Sequence, residues 1–110
     1  LHPRVRRQRQ MCIRDSINSL PEAEKIDGYT VLQHMEKGEF DKILFKRWEK
    51  KVYEVYFQKN NRVFYITVDK ENIYLLHSCR KQKNKTEKKD ANIVRKRAKE
   101  LGNMLGRKFI

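Results

Sequence analysis

Between residues 52 and 77 the chain carries three segments rich in β-branched and aromatic residues, separated by two short polar breaks, and this spacing constrains the fold most. Val52-Tyr53-Glu54-Val55-Tyr56-Phe57 reads as one strand, Arg62-Val63-Phe64-Tyr65-Ile66-Thr67-Val68 as the next, and Ile73-Tyr74-Leu75-Leu76-His77 as a third. Lys59-Asn60-Asn61 and Asp69-Lys70-Glu71-Asn72 read as turns. A parallel crossover needs about a dozen residues or more, so connections this short dictate an antiparallel meander. The β-like pattern begins at Ile43, and Trp48 reads as an anchor where the chain enters the sheet.

Such a sheet has an apolar face that must be covered. Leu20, Ala23, Ile26, Tyr29, Leu32 and Met35 recur at near-helical spacing and predict an amphipathic helix to cover it. Ser19 is placed to cap that helix, Pro21 suits its first turn, Glu22 completes a capping box and Gly38 ends it. Gly28, costing about 1 kcal/mol relative to Ala in mid-helix, marks a place for a bend. Thr86 is the expected cap of a last, basic helix through Ile93, Val94, Arg97, Ala98 and Leu101 to Gly102, followed by a tail that either docks or frays. The expected class is therefore α+β: an antiparallel sheet of at least three strands, packed by an N-terminal helix, with a basic C-terminal helix.

Residues 1–16 follow neither period. Reverse translation of Arg6 to Ser16 gives a string that resembles a transposase-type sequencing-library adapter, with Leu1-His2 as the piece before its index. On this reading residues 1–16 are an artefactual, disordered segment and residues 17–110 form one N-terminally truncated domain.

Charge narrows the partners. The chain has 27 Lys+Arg against 14 Asp+Glu, a net +13, of which +9 remains for residues 17–110. A field of this sign concentrates polyanions, so nucleic acid, an acidic membrane or an acidic protein are the partners to weigh. No stretch approaches the roughly 20 apolar residues of a membrane span, and no apolar run follows the basic N-terminus as in a secretory signal. Cys12 and Cys79 offer neither a disulfide framework nor a metal-ligand spacing, which fits a reducing cytoplasm and calls for no metal or cofactor.

The chemistry-bearing residues cluster late. Residues 80–99 hold Arg80, Lys81, Lys83, Lys85, Lys88, Lys89, Arg95, Lys96, Arg97 and Lys99, opposed by Glu87 and Asp90. A charge run is by itself a solvated face as readily as a binding face. Placement favours binding: the run starts where a strand ends and Arg62 starts the adjacent strand, so a meander gathers Arg62, His77, Lys81 and Lys83 at one rim of the sheet, able to hold several phosphates. His77 is either a general base or a structural hydrogen-bonder, His34 a surface or cap-like residue, and Cys79 buried filler rather than a nucleophile. Most of Tyr53, Tyr56, Phe57, Phe64, Tyr65 and Tyr74 belong to the core, with one or two available to stack on a base.

Leu75-Leu76-His77-Ser78-Cys79-Arg80-Lys81-Gln82-Lys83-Asn84-Lys85-Thr86, followed by Ile93 and Arg97, resembles the signature of phage-derived RelE/HigB-like toxins, in which a strand ending in a small residue and Phe leads to a Lys-Lys pair, Lys-Thr-Pro and a basic helix. Lys51-Val52-Tyr53-Glu54-Val55, Arg62-Val63-Phe64-Tyr65 and Leu20-Pro21 with the following helix are similar to other parts of that pattern. Cys79, Gln82 and Glu87 depart from it, standing where Phe, Lys and Pro are usual. The resemblance implies a RelE-like fold whose first strand, and the start of whose first helix, precede Ile17 and are missing, leaving a sheet edge open to aggregation.

It also implies the toxin of a type II toxin–antitoxin system: a cytoplasmic, metal-independent endoribonuclease that cuts mRNA at the ribosome by attack of a ribose 2′-hydroxyl on the neighbouring phosphate, neutralised by a cognate antitoxin of helix-turn-helix type. On that reading Arg62 holds the scissile phosphate, Lys81 and Lys83 stabilise developing charge or move protons, and His77 is a further catalytic candidate. Arg80, Lys85, Lys88, Lys89 and Lys46 would bind the nucleic acid backbone. Two alternatives remain open at this point, a ParE-like inhibitor of DNA gyrase on the same scaffold and an RNA-binding module without catalysis.

Overall fold

The computed structural model describes residues 4–5, 7–58, 60–69, 72–80 and 86–110, with side chains described from Ile13 onward. In chain order the elements are β1 (Arg4–Val5), α1 (Arg7–Asn18), α2 (Glu22–Glu36), a single 3-10 turn (Phe40–Lys42), β2 (Leu44–Glu49), β3 (Val52–Phe57), β4 (Asn61–Thr67), β5 (Asn72–Arg80) and α3 (Lys88–Leu105). The sheet runs β1-β5-β4-β3-β2; β2 to β5 form the antiparallel meander and β1 adds a short parallel edge. The class read from the sequence is the class observed, with one more meander strand than the minimum of three.

Strand alternation builds two cores, one on each face of the sheet. Val55, Val63, Tyr65, Ile73 and Leu75 turn towards α1 and α2, where Ile13, Ile17, Val31, Leu32 and Met35 cover them. Val52, Phe64, Ile66 and Leu76 turn the other way, towards Val94, Ala98 and Leu101 of α3 and Phe109 of the docked tail. Covered on both sides, β4 is buried from Asn61 to Ile66, which is why Val63 to Ile66 reads as an unbroken run of apolar and aromatic residues, while Asn61 and Arg62 are buried with polar partners.

Two β-bulges enlarge the α3-side core. Arg47 faces Tyr53 and Glu49 faces Val52, so Trp48 is the extra residue of β2; it meets the Phe64 ring edge-on at 5.2 Å. In the β4–β5 ladder Phe64 faces His77 and Tyr65 faces Leu75, which makes Leu76 the extra residue there. A bulge shifts the inside-outside alternation by one. Leu76 and His77 therefore both turn towards α3, whereas strict alternation would have put His77 on the face of Leu75.

Residues 1–16 were expected to be shapeless; among the described ones Arg7–Asn18 is helical, Ile13 and Ile17 enter the core, and the backbone of Arg4 and Val5 makes a two-residue parallel pairing with Asn72 and Ile73 beside the four-stranded antiparallel sheet. An i, i+4 pair of isoleucines supplies an apolar stripe one helix turn long, too short to register as a period. Edge pairing is made by backbone groups and tolerates almost any extended dipeptide.

The helix after it is rotated relative to expectation. Glu24, Gly28, Val31, Leu32 and Met35 form the buried face of α2, while Ile26 is 57% exposed. Gly28 needs no bend; it is a point of close approach, where an added Cβ would lie 2.8 Å from Ile17 Cγ2 and 3.1 Å from the Phe57 ring. Neither helix uses the expected side-chain cap: Pro21 and Glu87 occupy the N-cap positions, the Ser19 hydroxyl donates to Ser16 O, and the Thr86 hydroxyl accepts from Trp48 Nε1 at 3.1 Å. Gly38 follows the end of α2 at φ 71°, as read, but α3 continues past Gly102 and ends at Gly106, φ 65°.

Candidate nucleic-acid interface

Register decides which cations meet. Arg62 lies opposite Tyr56 on β3 and Cys79 on β5, and Lys46 lies opposite Glu54. All of these are on the α3 face. Glu54 is fully buried between the two cations, its Oε1 lying 3.4 Å from Lys46 Nζ and 3.9 Å from Arg62 Nε. The Arg62 guanidinium lies 5.0 Å from the Tyr56 ring centre, and its NH1 donates to Asn61 O at 3.0 Å. Arg62 Nε meets no hydrogen-bond acceptor among the described residues. The side chain is 8% exposed, so this is an inward guanidinium beside an aromatic ring, with Lys46 as the exposed member of the trio.

One residue further along, the alternation sends Arg80 to the other face. Its guanidinium pairs with the buried Glu24 of α2, which also accepts from Asn61 Nδ2 at 2.8 Å. Arg80 and Asn61 are partners in the β4–β5 ladder, so Glu24 stitches α2 to the end of the sheet where β4 starts and β5 stops. Lys88 and Lys89 are exposed in the first turn of α3. Lys81, Lys83 and Lys85 lie outside the described residues.

His77 sits inward of this end, between β5 and α3. Its Nε2 is 2.9 Å from Asp90 Oδ1 and its Nδ1 is 3.4 Å from an Arg97 nitrogen that also donates to Leu76 O at 2.7 Å. Both ring nitrogens face groups of α3, an arrangement suited to joining strand to helix. Cys79, two residues on, turns to the same face. His34, at the end of α2, is 3.1 Å from Glu39 Oε1, in keeping with a cap-like role.

The meander brings Arg62, Lys46 and His77 to one face and Arg80 to the other, but only Arg62 and Arg80 lie at the end of the sheet; Lys46 and His77 belong to the middle row through Glu54 and Phe64, so His77 does not share the rim expected for it. Sequence reasoning missed Glu54, Tyr56 and Asp90. A lone carboxylate within an apolar strand, at an inward position two residues before Tyr56, was the signal for Glu54; Asp90 carried none, because its partner comes from another element.

The fold and the basic end of the sheet define a small α+β protein of RelE-like architecture. A family model for the phage-derived Gp49-like proteins (DUF891) matches residues 15–99. The chain belongs to that family, a RelE/HigB-like toxin family. No curated protein gives a significant match. Among the described residues no helix is long and apolar enough to cross a membrane.

Proposed function

We propose that this protein is the toxin of a type II toxin–antitoxin pair and that it cleaves mRNA at the ribosome in the cytoplasm. The observation that carries the reading is the ladder position of Arg62, directly opposite Cys79 and one residue from where β5 gives way to the lysine run. Family membership supplies the toxin-like character.

In this mechanism a ribose 2′-hydroxyl attacks the adjacent phosphorus, the 5′-oxygen leaves, and the products are a 2′,3′-cyclic phosphate and a 5′-hydroxyl. The attacking hydroxyl loses a proton and the leaving oxygen gains one, so no metal is required. Arg62, 8% exposed beside Glu54 and 5.0 Å from the Tyr56 ring centre, has to swing outward to present its planar donor fork to the phosphorane oxygens. Lys46, Lys88 and Lys89 hold flanking phosphates. Lys81 and Lys83 stabilise developing charge or shuttle the proton. His77 acts on this reading as a positioning residue. A helix-turn-helix antitoxin neutralises the basic end.

The test is primer extension on a translated message. The wild type should cut within the reading frame and leave plasmid supercoiling unchanged. An Arg62→Ala, Lys81→Ala double variant that still folds should lose cleavage. Cutting at the wild-type rate by that variant, or loss of supercoiling with intact transcripts, overturns the proposal.

A further inference from the structure

We propose that His77, Cys79 and Asp90 form a binding site for a divalent transition metal, zinc by its donor set. One ligand atom from each residue, an imidazole nitrogen, Sγ and a carboxylate oxygen, lies within 4.8 Å of the other two. The closest pair, His77 Nε2 and Asp90 Oδ1, is 2.9 Å apart. Tetrahedral zinc with one sulfur at about 2.3 Å and two N/O donors at about 2.0 Å has those ligand atoms roughly 3.3–3.6 Å from one another, so the widest pair needs to close by up to about 1.2 Å and the His77–Asp90 pair to open by about 0.4 Å.

The convergence has a structural cause. Residues two apart on a strand share a face, which aligns His77 with Cys79. The Leu76 bulge turns that face towards α3, whose first turn carries Asp90. Among the described residues Cys79 takes part in no disulfide, and the His77 and Asp90 side chains are 16% and 12% exposed, which limits competing water.

Charge and protons balance. The metal takes the place of the Cys79 thiol proton, which leaves to solvent, and Zn²⁺ with one thiolate, one carboxylate and neutral imidazole is a neutral group. This neutrality matters beside Arg97 and Arg62, which would repel a bare dication. Coordination through His77 Nε2 puts the ring proton on Nδ1. The 3.4 Å approach of Arg97 is then given up, while its 2.7 Å bond to Leu76 O is retained. Three protein ligands leave the fourth position to water. The metal would clamp β5 to the first turn of α3, directly across the ladder from Arg62. The inference stands apart from RNA cleavage and neither requires it nor is required by it.

Cobalt(II) titration of tag-free protein in a Cys12→Ser background tests it. One equivalent should produce a thiolate-to-cobalt charge-transfer band and tetrahedral d–d bands, both abolished by added zinc, and saturating zinc should raise Tm by about 5 °C or more. Cys79→Ser should remove the charge-transfer band, and Asp90→Asn and His77→Gln should each weaken binding by about 10-fold or more with unchanged circular dichroism. Absence of the band, its survival in Cys79→Ser, or unaltered affinity in both Asp90→Asn and His77→Gln overturns the proposal.

Discussion

Replacing Glu54 with Gln isolates the group that holds the candidate phosphate-binding arginine. Glu54 is fully buried, with Arg62 Nε 3.9 Å and Lys46 Nζ 3.4 Å from its Oε1. At an effective dielectric of about 20, the Arg62 pair alone is worth roughly 4 kcal/mol of attraction, while half-exposed Lys46 counts for much less. Removing the charge also relieves the desolvation of a buried carboxylate, but among the described residues it leaves Arg62 no anionic partner beside Asn61 O, the Tyr56 ring and the new amide oxygen. Breaking one side of a buried pair costs about 3–5 kcal/mol, and the retained amide oxygen places Glu54→Gln near the lower end, about 3 kcal/mol. For a domain of this size that is a fall in Tm of roughly 10–20 °C. Urea unfolding followed by circular dichroism measures it. Adding Arg62→Met to Glu54→Gln removes the stranded charge and should restore part of the loss. A cost below about 1 kcal/mol for the single variant, or a double variant that is less stable still, would refute the claim that Glu54 compensates Arg62.

Gly28→Ala should destabilise by about 1 kcal/mol: a gain in helix propensity of about 1 kcal/mol is outweighed by an overpacking cost of about 2 kcal/mol, because the new Cβ meets the rigid Ile17 Cγ2 at 2.8 Å; a stabilised variant in thermal melts would mean α1 does not dock there. Met35→Ala, at a fully buried site, should cost about 2–4 kcal/mol, whereas Ile26→Ala, at a position 57% exposed, should stay within about 0.5 kcal/mol, a contrast read by urea denaturation that tests which face of α2 is inward. The Glu39 carboxyl should titrate below its ordinary 4.5, because the Lys42 ammonium and then His34 hydrogen-bond to its charged form. Its folded pKa being depressed, its small contribution is present above the ordinary value and lost as pH falls through the folded one. NMR titration of Lys42→Met should show the Glu39 carboxyl moving back up.

Local pattern alone was enough for the meander. β-branched and aromatic segments joined by polar breaks of a few residues permit only antiparallel neighbours, so strand identity, the α+β class and the end of the sheet occupied by Arg62 follow from composition and spacing. The helices α2 and α3 were legible for the same reason, since an apolar stripe needs a partner. What the sequence concealed were the facts that depend on which residue faces which. The buried face of α2 differs from the stripe of its most apolar residues because Gly28 admits α1 and Glu24 finds Asn61 and Arg80. The extra residues Trp48 and Leu76 shift alternation by one, and no local preference announces a bulge that the packing of α3 stabilises. Residues 7–16 illustrate the limit: two isoleucines one turn apart carry too little pattern to predict a helix, yet docking against the sheet supplies the burial that local propensity lacks. The Glu54–Arg62 pair and the meeting of His77 and Cys79 with Asp90 belong to the tertiary structure alone, because each brings together side chains from separate elements whose distance is set by strand register and helix packing.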